Sequence, residues 1–129
     1  MPAVNFENRR SGCYLGQCAS LNIVNEEIIV ASGEGILYPG TVLGKITASG
    51  KYAAHTPGAA DGSQTAAAIL FHKIDATDED VTTVGTVRGP ATINGTMLTF
   101  ADGISAANKS AAEDALRAAG MAVLPQHAA

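Results

Sequence analysis

Ala66-Ala67-Ala68-Ile69-Leu70-Phe71-His72-Lys73-Ile74 carries apolar residues at both parities, the pattern of a strand buried on both faces. Such a strand belongs at the centre of a core, and its neighbours in sequence read as strands and turns. Upstream, Thr56 to Gln64, with Pro57, Gly58, Asp61 and Gly62, has the composition of a surface loop. Before it, Thr41 to Thr47 is β-branched and partly alternating, a strand entered through the type II turn signal Tyr38-Pro39-Gly40 and left through a turn at Ala48 to Lys51. Downstream, Asp75 to Asp80 is an acidic turn, Val81 to Arg88 a Thr/Val strand, and Gly89-Pro90 a break. Asn94-Gly95 is the dipeptide of a type I′ turn and predicts a hairpin with Met97 to Phe100. One helix is expected over Ala106 to Ala119, capped by Ser105 and closed by Gly120, with Ala112, Ala115, Leu116 and Ala119 as its apolar stripe. Met121 to Leu124 is a closing strand ended by Pro125.

The fold class is α+β, mainly β: a small compact β-rich domain with one late helix and an extended N-terminal arm. Ser32-Gly33-Glu34-Gly35 marks a hinge or tight turn, dividing the chain into an arm, 1–35, and a domain, 36–129. Helical periodicity is absent from the arm, and its one apolar run is Ile28 to Ala31. The 129 residues suit a single domain. Eight basic against 12 acidic side chains give a net charge near −4, which argues against nucleic acid, because phosphate binding needs clustered Lys and Arg. No apolar run approaches the roughly 20 residues that span a bilayer, so no membrane partner is expected. Met1 to Arg10 lacks the apolar stretch of a secretory leader, so synthesis in a cytoplasm is expected. Cys13 and Cys18 have the spacing of neither a redox pair nor a zinc half-site, and are expected to be free thiols, with a local disulfide as the alternative.

Catalytic motifs fail one by one. Gly44 to Lys51 has five residues between its glycines, and Tyr52 stands where a P-loop needs Ser or Thr. Asp75, Asp78, Glu79 and Asp80 lack the sixth-position glycine and twelfth-position glutamate of a calcium loop. His55, His72 and His127 have no ligating partner at helical spacing. A hydrolase gathering dispersed residues such as His72 and Asp75 is the weakest reading, since no nucleophile elbow exists. The expectation is a protein that is not an enzyme, with no cofactor and no metal.

Several segments in one order resemble the head decoration proteins of lambda-like tailed bacteriophages: Pro39 to Lys45 with Gly50-Lys51-Tyr52, Asp61-Gly62-Ser63 leading into Ala66 to Leu70, Asp75 to Asp78, Arg88-Gly89, and Gly103-Ile104-Ser105. The likeness runs from Tyr38 to Leu124, and Ala68 stands where family members often have Gly before the Ile-Leu of the central strand. The resemblance implies a virion protein on the outer surface of the capsid. There it forms a homotrimer at three-fold or quasi-three-fold positions and holds the major capsid protein of the expanded head against DNA pressure. A chain poor in aromatics gains from such docking, because a partner that binds only the folded state stabilises it. The rival is a non-catalytic interaction module of another phage structure, such as a tail or baseplate piece or an adhesin.

Attachment is expected to use the arm. Ile28, Ile29 and Val30 would add a strand to a capsid sheet edge, with Phe6, Tyr14 and Leu15 as apolar anchors and Arg9 and Arg10 on acidic capsid surface. Equally open is that Ile28 to Ala31 is an internal strand of the domain.

Overall fold

A computed structural model describes residues 12, 14–18, 24–101 and 104–124. In chain order the strands are β1 (Leu15–Cys18), β2 (Asn25–Val30), β3 (Gly35–Leu37), β4 (Val42–Lys45), β5 (Tyr52–Ala54), β6 (Ala66–Leu70), β7 (Ile74–Ala76), β8 (Val81–Thr86) and β9 (Ala91–Asn94). A 3₁₀ turn (Gly95–Met97), helix α1 (Ala106–Ala118) and β10 (Met121–Leu124) complete them. Strands β2, β5, β4, β6 and β8 close a barrel in that order, β1, β9 and β10 form a second sheet, and β3 pairs with β7.

The central strand lies where its apolar pattern predicts. β6 pairs antiparallel with β4 on one side and β8 on the other. An irregularity between Leu43 and Gly44 shifts the ladder, so β6 can serve two cores. Ala66 and Ile69 face a cluster with Tyr14, Val24, Val42, Ile93, Leu116, Met121 and Val123, under the helix and the second sheet. Ala68 and Leu70 face the barrel interior with Ile28, Val30, Leu43 and Tyr52. The expected strand is shorter than its apolar run, however. It stops at Leu70, and Ile74–Ala76 starts again as β7 against β3, so the acidic turn begins only at Thr77.

The helix is held as its ends dictate. Ser105 Oγ accepts from the Asn108 amide at 3.1 Å, and Gly120 takes φ 97° at the C-terminus while its N–H donates to the Arg117 carbonyl. Ala112 and Leu116 are buried, Ala115 is half-buried, and Ala119 is exposed, so the stripe is one residue shorter than expected. Arg117 ties the last turn to β10 by donating from Nε and Nη2 to the Val123 carbonyl.

The expected Asn94-Gly95 hairpin does not form. β9 pairs antiparallel with β1 and parallel with β10, and Thr99 makes only an isolated parallel bridge to Thr41. Gly95 has no positive φ; a Cβ there would lie 2.6 Å from the Leu124 carbonyl oxygen. The glycine permits close approach of β10, a demand the dipeptide signal does not distinguish from a turn. Conversely, Tyr38-Pro39-Gly40 turns as read, with Gly40 at φ 96° and the Thr41 N–H on the Tyr38 carbonyl.

Candidate functional site

Asn25–Val30 settles between the two readings of the apolar run. β2 pairs with β8 over six residues, Asn25↔Thr86 to Val30↔Val81, and meets β5 at Val30↔Tyr52. Ile28 and Val30 are buried inside the barrel. The segment is an internal strand of the domain, the second of the two readings, and donating it to a capsid sheet would expose both side chains and break six residues of pairing. It lies on the N-terminal side of the expected boundary at residue 35, yet it is one of the five barrel strands.

Tyr14 is buried, not presented to a partner. Its hydroxyl lies 2.6 Å from Thr86 Oγ1 and 3.3 Å from the Ile69 carbonyl, and Thr86 Oγ1 donates to Asn25 Oδ1 at 2.6 Å. Leu15 packs half-buried against the same cluster. Of the site residues read from sequence, Ile29 alone among those described shows a large apolar side chain to solvent, 42% exposed. Phe6, Arg9, Arg10 and Cys13 lie outside the described residues, as does the side chain of Cys18. Gly12 is held against Phe71: its N–H donates to the Phe71 carbonyl at 2.9 Å, and a Cβ on Gly12 would meet the Phe71 ring at 2.7 Å.

Sequence reasoning missed Ile36 and Leu124, the other large exposed apolar side chains among the described residues. Ile36 follows Gly35 on the short strand β3 and lines a groove of about 270 Å³ with Leu37, Tyr38, Val42, His55 and Phe100. The available signal was alternation over three residues, too short to assign a face. A second cavity of about 130 Å³ lies where His55, Pro57, Gln64 and Thr65 meet Asn108, Ala111, Ala112 and Ala115 of α1.

Two carboxylates of the acidic 75–80 stretch have partners in the fold. Asp75 Oδ1 accepts from the Thr77 amide and hydroxyl, and Asp80 accepts from the Ser32 amide at 2.9 Å and from Lys51 Nζ at 2.6 Å. The Thr77 hydroxyl holds the Asp75 carboxyl below the usual range, and Lys51 does the same for Asp80. Asp61 is lowered by the Ser63 hydroxyl and amide in the same manner. Among the described residues no group of three or more His, Cys, Asp or Glu side chains is placed to hold a metal. The P-loop-like stretch is the tight connection between β4 and β5, with Lys45 Nζ 5.9 Å from the centre of the Tyr52 ring.

The chain thus forms a closed barrel beside a helix-covered second sheet, with Asp61, Asp75 and Asp80 each engaged by neighbouring backbone or side-chain groups. A family model described as bacteriophage lambda head decoration protein D matches residues 6–121, and the chain belongs to that family: it is a phage head decoration protein. No curated protein gives a significant match. The family is one of structural phage proteins, and its place is the capsid of the virion.

Proposed function

We propose that the protein is a passive clasp. Homotrimers cap three-fold and quasi-three-fold positions on the outer surface of the expanded head and hold adjacent major capsid subunits together against the pressure of packaged DNA. The observation that carries this reading is the family match across 6–121, which begins at Phe6, ahead of the first described residue. A rigid barrel anchored at Gly12 supports it, because three copies sharing one axis would each bring residues 1–11 to the lattice. Three weak contacts engaged together give an avidity far above any one of them. In this arrangement Phe6 is an apolar anchor and Arg9 and Arg10 meet acidic capsid surface, while Ile29 on the barrel exterior and Ile36 on β3 supply apolar contact area.

Removing residues 1–11 tests the attachment, because this deletion leaves every barrel strand in place. The truncated protein is expected to fold and to lose binding to expanded heads in a co-sedimentation assay. Unchanged binding by the folded truncation would contradict the proposal.

A further inference from the structure

His55 follows β5 at the junction of three parts of the fold: barrel, 56–65 loop and helix. Its N–H donates to the Val42 carbonyl of β4 at 2.9 Å, and Nε2 lies 3.1 Å from the Gln64 carbonyl oxygen. A carbonyl oxygen only accepts, so Nε2 carries the proton and Nδ1 is a bare lone pair in the neutral ring. The residue is 3% exposed, and Nδ1 is buried without a hydrogen-bond partner among the described residues. The imidazole borders both the cavity beneath α1 and the groove beside β3.

Among the described residues, those around the two spaces contain no carboxylate, ammonium or guanidinium; from α1 they are Asn108 and three alanines, and Tyr38 is the one other titratable group. Charged side chains on neighbouring segments have contacts of their own. Glu34 Oε1 accepts from the Ala54 amide, Asp61 Oδ1 accepts from Ser63, Lys73 lies over Tyr38, and Lys109 lies over Phe100. A proton added at Nδ1 therefore creates a buried cation with a donor that has no acceptor, an arrangement disfavoured in a folded interior.

From this placement we infer that His55 is an acid-sensitive latch, which pins the 56–65 loop and α1 to the barrel while neutral and releases them when protonated. Burial also pushes its pKa below the ordinary histidine value. For a group so depressed, the unfolded or opened state binds more protons. The latch is fully closed above the ordinary pKa of about 6.5 and weakens as pH falls from there towards the lower folded-state value. One proton taken up on opening raises the opening constant by at most about tenfold per pH unit.

The test is the pH dependence of urea unfolding between pH 7.5 and 5, with NMR titration of the imidazole in the intact protein. The His55→Gln variant keeps a side-chain donor for the Gln64 carbonyl and cannot titrate. The native protein is expected to lose stability across this interval and the variant to lose much less, while His72→Gln behaves as native. An equal loss in native protein and variant would overturn the latch. If the variant does not fold, the NMR titration decides. A His55 midpoint below about 6.5, with coupled shifts at Gln64 and Asn108, supports the inference, and a midpoint at or above that value overturns it.

Discussion

Gly44 shows how one hydrogen can set a fold's tolerances. A Cβ there would lie 2.5 Å from the Ser63 carbonyl oxygen, a backbone atom that cannot swing aside. Gly44→Ala is expected to cost about 1–3 kcal/mol, the usual range for overpacking, read as a lower urea midpoint at unchanged slope. The Tyr14 hydroxyl occupies the other extreme, a buried polar group fully engaged with Thr86 and, through it, with Asn25. Tyr14→Phe keeps the ring and removes one hydrogen-bond partner, so a loss of about 1 kcal/mol is expected in the same assay. Neither constraint is visible in sequence. Gly44 lies inside a strand pattern that glycine only weakens, and Tyr14 reads there as an apolar anchor for a partner because its real partners stand 55 and 72 positions away.

At the scale of elements, the account separates the role of residues 1–11 from that of Asn25–Val30. Deleting 1–11 is expected to leave the circular dichroism and thermal transition of the native protein, whereas deleting 1–35 removes β1 and β2 and is expected to abolish the cooperative transition. A folded 1–35 deletion would show that the barrel closes without β2. The sequence made β6, β4, β8, β10 and α1 legible, because burial on both faces, β-branching and helix caps leave local marks. It hid β3, β5 and β7, which have three residues each and draw their stability from long-range pairing. It also suggested a hairpin at Asn94-Gly95, where the glycine instead admits Leu124 of β10. Ile29 stands out from sequence only together with its neighbours, and its separation from Ile28 and Val30 depends on which face β2 turns to the barrel interior.

For the whole molecule, acid should act in two separate windows. The lowered carboxyls of Asp61, Asp75 and Asp80 contribute stability that is present above their unfolded pKa near ~3.9 and lost as pH falls through their lower folded values. Their loss therefore belongs below about pH 4, clear of the histidine window, and Asp75→Asn is expected to flatten the pH dependence of the thermal transition only there. Docking adds a further layer, since a lattice that binds only folded copies raises the apparent transition temperature with occupancy. The central claim is one of position and symmetry. Cryo-electron microscopy of purified heads mixed with an excess of this protein measures both. The account predicts three copies about each three-fold and quasi-three-fold axis on the outside of expanded heads, with density continuing from Gly12 into the capsid surface. Expanded heads with bare outer three-fold positions, or copies bound singly elsewhere, would contradict it.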